Sequence, residues 1–380
     1  MPSPLHAKSP NNSATLLIAA ISGRAIAAAA RRAGYRPLVA DFFCDTDMVA
    51  LASKAITLPG DLRNGIDNAR TIEALRKLAA GETPIAVVLG SGFERKSELV
   101  DSIAREFPLA GCNGATIRRV KNPEMLAADC AALGIPHPEL RRDRPADVEN
   151  WVVKTEGAAG GAHIRRANGE DASEGRYFQR FVSGQNVSAL FAGDGRKARI
   201  VGFSRQWASP APGQPYRYGG AVRLRRFDRQ DNVTISGWLS ALTARTGLKG
   251  LCSADFIKTR DGYRLIEINP RPGATLDIFD GFDAPLLETH IRASRGETYR
   301  LPHFADSMAQ LIAYAAIPVA RFPAVDWPDW TADHQSAGTR LSPGDPVCTV
   351  CATGPNAAAT QRAVEAQART LQAAWEGCPT

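Results

Sequence analysis

The segment Asp255-Phe256-Ile257-Lys258-Thr259-Arg260-Asp261-Gly262-Tyr263-Arg264-Leu265-Ile266-Glu267-Ile268-Asn269-Pro270-Arg271-Pro272-Gly273 concentrates residue types suited to phosphate and metal chemistry. Two runs rich in β-branched and aromatic residues flank a turn signal, so the stretch reads as a hairpin. A three-residue loop, Arg260-Asp261-Gly262, with its glycine left-handed, pairs Thr259 with Tyr263, Ile257 with Leu265 and Asp255 with Glu267. Asp255, Glu267 and Asn269 then share one face, because side chains alternate along a strand. Facing carboxylates repel in an ordinary hairpin, whereas a divalent cation removes that cost. Oxygen-only ligands, two of them anionic, suit Mg²⁺ shared with a nucleotide's phosphates. A two-residue loop would instead put Asp255 and Glu267 on opposite faces, so their meeting depends on the turn.

Upstream, Lys154 ends a short strand, and Thr155 and Glu156 lead into the small residues Gly157, Ala158, Ala159, Gly160 and Gly161. Such a loop lets backbone N–H groups approach phosphate oxygens, and the lysine adds a point charge. The spacing is not that of a GxxxxGK[ST] loop. Further on, Gln179-Arg180-Phe181-Val182-Ser183-Gly184-Gln185-Asn186 reads as a strand end. Its backbone has the alternating donors and acceptors that read an adenine edge, and Asn186 has the reach for a ribose.

Taken in order, these segments resemble the ATP-grasp superfamily. Gln179 to Asn186 is similar to the E-K-W-L-S-G-P-E stretch of D-alanine–D-alanine ligases, and Ile266 to Gly273 to their L-E-A-N-x-x-P-G motif. The resemblance covers roughly residues 121–287, and the tail Gly344 to Val350 looks like the C-terminal region of biotin carboxylase-type members. It implies phosphate contacts from Lys121 and Lys154 and a mobile lid at Gly157 to Gly161. It implies adenine held by Gln179, Arg180, Phe181 and Val182, ribose by Asn186, and one or two Mg²⁺ (or Mn²⁺) by Asp255, Glu267 and Asn269. Arg271 and Lys154 would be catalytic, Arg271 stabilising charge on the transferred phosphoryl group. Gln179, Arg180 and Asn186 depart from the acidic residues usual at those places.

The implied activity is ATP-dependent ligation of a carboxylate to an amine through an acyl phosphate. Among branches of the superfamily, the chain resembles predicted carboligases related to biotin carboxylase and a tyramine–glutamate ligase, which implies cofactor biosynthesis for one-carbon metabolism. The alternatives are a nucleotide-binding regulator without turnover and a biotin carboxylase-like carboligase. Tyr216, Tyr218, Gly219, Gly220, Arg223 and Arg225 are candidates for binding an anionic substrate, or equally a solvated loop with surface arginines.

The elements that must position these residues follow an α/β pattern. Apolar strands at Thr15 to Ile21, Arg36 to Asp41 and Ile85 to Leu89 alternate with helices at Arg24 to Ala33 and Thr71 to Ala80, which predicts a parallel sheet with crossover helices. Ser22-Gly23 could seat a phosphate at a helix N-terminus, but without GxGxxG a structural βαβ unit is favoured. Helices are expected at Pro123 to Leu133, Trp238 to Thr246 and Ala357 to Trp375, and strands at Trp151 to Lys154, Tyr177 to Val182, Val187 to Phe191, Ala198 to Arg205 and Val347 to Val350. The expected fold is ATP-grasp. It comprises an N-terminal parallel-sheet domain over 1–110, an ATP-grasp domain over 111–300 with a small antiparallel lid lobe near 145–183, and an α+β extension over 301–380.

Bulk properties narrow the class. At 380 residues, 44% hydrophobic and 22% charged, the chain matches ordinary globular proteins. No apolar run is long enough for a membrane span, and Met1 to Asn12 lacks the pattern of a secretory signal, so a cytoplasmic protein without membrane partners is expected. The net charge of +7 suits steering of anionic small molecules, and no nucleic-acid-binding spacing is present. Seven scattered cysteines form no disulfide framework, and Cys348-Thr349-Val350-Cys351 reads as strand residues. A homodimer is the assembly common among the relatives.

Overall fold

The structure, a computed structural model, describes residues 14–61, 64–169 and 173–376. The stretch Met1 to Asn12 lies outside the described residues. The first sheet contains β1 (Thr15–Ala20), β2 (Arg36–Asp41) and β3 (Lys54–Thr57). After a short ribbon of β4 (Gly60–Asp61) and β5 (Gly65–Ile66), β6 (Ala86–Leu89) and β7 (Leu109–Ala110) complete it in the order β3-β2-β1-β6-β7. All its pairings are parallel. Every residue of β1 is buried, as expected of a strand covered on both faces by helices. The crossovers carry α1 (Arg24–Arg32), α2 (Thr46–Leu51), α3 (Asn68–Leu78) and α4 (Ser97–Glu106). Helix α3 starts three residues before the expected Thr71 because the Asp67 carboxylate accepts from the Arg70 amide at 3.0 Å and caps it.

Two helices lead into the site, one absent from the sequence reading and one ending a residue before the expected Leu133. Helix α5 (Gly114–Lys121) is capped by Asn113, and α6 (Pro123–Ala132) by Asn122, each accepting an amide at 2.9 Å. Lys121 is therefore the last residue of α5. The small antiparallel lobe is built from β8 (Leu140–Arg141), β9 (Trp151–Thr155), β10 (Arg165–Arg166) and β11 (Arg176–Arg180), in the order β10-β9-β11-β8. Trp151, Val153, Ala167 and Phe178 form its own core. Strand β11 stops at Arg180, so Phe181 and Val182 lie beyond it, contrary to the expected strand; the Phe181 amide instead donates to the Asn150 carbonyl at 2.7 Å.

The largest sheet has eight strands: β12 (Gln185–Asp194), β13 (Ala198–Ala208), β14 (Tyr218–Arg223), β15 (Lys249–Thr259), β16 (Gly262–Asn269), β17 (Ser307–Tyr314), β18 (Thr331–Ala332) and β19 (Pro346–Gly354). Their order is β16-β15-β12-β13-β14-β17-β19-β18. Strand β17 pairs with β14, so the strands after residue 301 continue the same sheet. The sheet is covered by α7 (Arg229–Thr246), α8 (Leu276–Phe279), α9 (Leu286–Ser294) and α10 (Ala357–Glu376). Helix α7 begins at Arg229, well before the expected Trp238, since Asp228 caps it through the Asp231 amide at 2.9 Å. Cys348 and Cys351, three apart on β19, face opposite sides of the strand, and Cys348 packs in the core. The described cysteines are free.

Candidate active site

The hairpin brings Asp255 opposite Glu267, but by a different route from the one expected. The turn is a two-residue loop, Arg260-Asp261, with Thr259 paired to Gly262, Lys258 to Tyr263 and Phe256 to Leu265. A bulge between Asp255 and Phe256 then inserts Ile266 as an unpaired residue of β16, and the register shifts so that Asp255 meets Glu267. A bulge of one residue flips the subsequent side chains to the other face. The two-residue loop alone would have separated the carboxylates; the bulge reunites them.

Around that pair the charges are organised. The Asn269 carboxamide donates to Asp255 Oδ2 at 3.0 Å. Asp255 Oδ1 is buried and makes no hydrogen bond of good geometry, with the Ser188 hydroxyl nearby and 3.4 Å from the Ala254 carbonyl. Burial, reinforced by Glu267, raises the Asp255 carboxyl above its usual range. Lys121 Nζ ion-pairs with Glu267 and lies 3.2 Å from Asn269 Oδ1 and 3.4 Å from the Ile268 carbonyl. Burial would raise Glu267, but Lys121 and Lys154 override it and hold its carboxyl at about 2. An orphaned buried carboxylate oxygen beside an ionised carboxylate and a carboxamide is a donor set that fits a hard divalent cation.

Lys154, at the end of β9, is 2% exposed; its Nζ lies 3.4 Å from Gln179 Oε1. Burial lowers its pKa while Glu267 and Asp255 oppose the shift. A narrow cleft opens among these groups, lined by Lys121, Lys154, Gly157, Ala158, Gln179 and Glu267. It also takes in His137, His163 and Tyr177, which the sequence did not single out. Burial holds both histidines near about 4, hence neutral, and His163 Nδ1 is buried without a partner.

The small-residue loop closes over this cleft and docks on β14. The Tyr218 amide donates to the Gly160 carbonyl at 2.9 Å, and a Cβ at Gly161 would strike the Tyr216 carbonyl. Gly157, Gly160 and Gly161 all have φ between 64° and 74°, and Ala159 completes the loop. The remaining expected residues are dispersed. Arg180 pairs with Asp147 at 3.0 Å on the lobe's exposed side, and Asn186 is exposed at the start of β12. Gly219 and Gly220 are buried in β14, where a Cβ would meet the Ala208 backbone and the Trp207 ring respectively. Arg223 is spent internally on the Ile278 carbonyl at 2.5 Å and on Asp306, while Arg225 is exposed beyond the strand.

Arg271 carries a partner the sequence reading missed. Its Nε donates to Glu94 Oε1 at 2.7 Å, and Glu94 Oε2 accepts from the Gly92 amide at 2.7 Å. Burial would raise Glu94, but Arg271 and Lys121 keep it ionised. Glu94 sits just past the carboxyl end of β6, where open α/β sheets place ligand-binding groups, and that location was the available signal.

The ATP-grasp domain family matches residues 126–275. No curated protein matches the sequence. Solved structures share the architecture at low identity. The biotin carboxylase domain of Hydrogenobacter thermophilus 2-oxoglutarate carboxylase, a dimer determined with MgADP and bicarbonate, is 12% identical with a TM-score of 0.68, over 94% of this chain and 89% of that one. The L-amino acid ligase of Bacillus licheniformis is 13% identical with a TM-score of 0.65, over 96% and 98%. The N5-carboxyaminoimidazole synthetase of Staphylococcus aureus is 13% identical with a TM-score of 0.66, over 96% and 100%. The chain therefore carries an ATP-grasp domain within a biotin carboxylase-like architecture.

Proposed function

We propose that the chain is an ATP-dependent ligase that activates a carboxylate as an acyl phosphate and joins it to an amine. One observation carries this reading: Asp255, Glu267 and Asn269 converge with Lys121 and Lys154 beneath the docked glycine loop. The three oxygen donors would hold Mg²⁺, which supplies charge neutralisation to the phosphates of ATP. Lys121 and Lys154 bind phosphate oxygens as point charges. A substrate carboxylate oxygen then attacks the γ-phosphorus as the bond to ADP breaks, and Arg271 offsets the negative charge at that centre. The loop from Gly157 to Gly161 keeps water from the acyl phosphate. The amine nitrogen attacks the acyl carbon, phosphate leaves, and the nitrogen gives up a proton. An amide-linked cofactor precursor of one-carbon metabolism is the product class suggested by the resemblance of the sequence to the tyramine–glutamate ligase branch.

The test is ADP release from MgATP across pools of carboxylates and amines. Release that needs one of each supports the ligase. The likeness to the Hydrogenobacter domain, crystallised with bicarbonate, favours carboxylation as a second reading, which release dependent on bicarbonate alone would select. Nucleotide binding with no release in any pool would overturn both in favour of a regulatory protein.

A further inference from the structure

His163 follows the glycine loop and carries a buried ring nitrogen that no other group of the described chain engages. The Tyr218 amide holds the loop at the Gly160 carbonyl, and the Ile164 amide turns back to the Gly161 carbonyl at 3.1 Å. His163 is thereby fixed in the turn between the docked glycines and β10, whose Arg165 pairs with Val153 of β9. Its ring forms part of the cleft wall together with Lys121, Lys154, Tyr177 and Glu267. The ring's hydrogen bond goes to the Ala159 carbonyl in the same loop. A carbonyl only accepts, so the bonded nitrogen carries the proton. Because Nδ1 has no partner, that nitrogen is Nε2, and Nδ1 keeps a bare lone pair.

The other groups at this end of the cleft are less suited to accept a proton. Lys121 is ion-paired with Glu267, and Glu267 is held ionised at about 2 with its oxygens committed to the metal set. Burial pushes the Tyr177 hydroxyl above its usual range, so it keeps its proton. His137 spends its Nδ1–H on the Pro138 carbonyl at 2.7 Å and also faces an outer groove with Glu124 and Leu140. Burial holds the His163 ring at about 4 against the pull of Glu267, with Lys154 and Lys121 adding to the effect. Its lone pair is therefore available at neutral pH. An amine nitrogen becomes strongly acidic once it bonds to an acyl carbon, so a base of low pKa suffices to take its proton.

We propose that His163 is the general base of the amine step, its Nδ1 taking the proton from the nitrogen as that nitrogen bonds to the acyl carbon. This role rests on the ligase reading and supplies the proton acceptor that the reaction requires. The C–N bond forms, the C–O bond to phosphate breaks, and phosphate leaves with the electron pair. The proton passes to Nδ1 while Nε2–H stays on the Ala159 carbonyl. The imidazolium charge is offset by Glu267 and the departing phosphate, and the proton returns to water when the loop lifts. Because His163 rides on the loop that covers the cleft, proton removal is coupled to the exclusion of water.

The test compares two acceptors on the full chain with MgATP and the common amino acids as carboxylates. Hydroxylamine, largely unprotonated near neutrality, traps the acyl phosphate as a hydroxamate with little need of a base, whereas ethanolamine and glycinamide report the amide step. His163→Ala should lower amide formation by about a hundredfold or more, leave hydroxamate formation and calorimetric MgADP affinity little changed, and recover amide formation with added imidazole. If His163→Ala does not fold, His163→Gln, whose carboxamide can replace the bond to Ala159 without supplying a base, should show the same split. Undiminished amide formation in the variant would overturn the base and leave the ligase standing. Hydroxamate formation and MgADP affinity falling in step with the amide would also overturn it, since a structural role predicts that pattern. Hydroxamate without amide from the unaltered chain sinks the base alone, and neither product from any member of the pools sinks the ligase and the base together.

Discussion

At the residue scale, the site is governed by how burial and opposite charge compete. Glu267 stays ionised because two lysines outweigh its desolvation, and Asp255 is raised because burial wins and its like-charged neighbour adds to it. Replacing Glu267 with Gln removes one anionic ligand while keeping an acceptor for Lys121. Mg²⁺-dependent ADP release should fall by about a hundredfold or more, with far-UV circular dichroism unchanged; a fully active variant would refute the metal assignment. His290 offers a pH prediction away from the site. Its Nδ1 accepts from the Leu251 amide at 2.8 Å and its Nε2 faces the Ala110 carbonyl at 3.0 Å, so the ring is held neutral with its proton on Nε2. Burial depresses its pKa from 6.5 to about 4. The unfolded chain therefore binds the extra proton first as pH falls. The native state is undiminished above pH 6.5 and loses roughly 3 kcal/mol between pH 6.5 and 4 from this group. Urea melts at pH 7.5 and 4.5 should show a smaller loss for His290→Asn than for the unaltered chain.

At the element scale, two short segments decide the geometry: the bulge in β16 and the glycine loop. The motif types were legible in the sequence. Asp255, Glu267, Asn269, Lys121 and Lys154 were singled out there, and the structure gathers them in and beside one cleft. The hairpin turn was not legible, because Arg260-Asp261-Gly262 suits both a three-residue loop and a two-residue loop followed by glycine. Nothing in Leu265-Ile266-Glu267 announces an inserted residue. The bulge settles where the carboxylates point through pairing with a strand whose register is fixed by β12 on its other side. In the loop, Gly160 and Gly161 have nearly the same φ but different surroundings: a Cβ at Gly160 meets nothing within 4 Å, while one at Gly161 collides with Tyr216. Gly160→Ala should cost about 1 kcal/mol of local strain and little activity. Gly161→Ala should undock the loop, raising the KM for MgATP and the ratio of ATP hydrolysis to product formation. Equal kinetics for the two variants would show that docking on β14 does not matter.

At the scale of the whole molecule, buried ion pairs join segments distant in sequence. Glu94 to Arg271 ties the loop after β6 to the end of β16, and Arg24 to Asp277 and Asp333 ties α1 to α8 and the C-terminal strands. Removing one member leaves a buried charge unpaired. Glu94→Leu should therefore destabilise the chain by about 3–5 kcal/mol, read as a lowered melting temperature, and should slow ADP release by freeing Arg271. An unchanged melting temperature would mean the pair is solvated in practice. Among the described residues no helix is long and apolar enough to cross a membrane. The Hydrogenobacter relative is a dimer; light scattering at twice the 40.7 kDa chain mass would extend that assembly to this protein.

Local patterns alone fix several things in this chain. Apolar runs specify β1, β2 and β6, glycine and proline punctuate α1 and α6, and the order of lysine, small-residue loop and acidic hairpin specifies the family resemblance. Those are properties of neighbouring residues, and neighbours in sequence stay neighbours in the fold. Tertiary structure alone decided the rest: that Glu94 reaches Arg271, that Arg223 is consumed by internal contacts, and that Arg24 is held by Asp277 and Asp333. Each of these depends on segments up to some three hundred positions apart being brought together by sheet pairing and burial, energies that no single stretch of sequence displays.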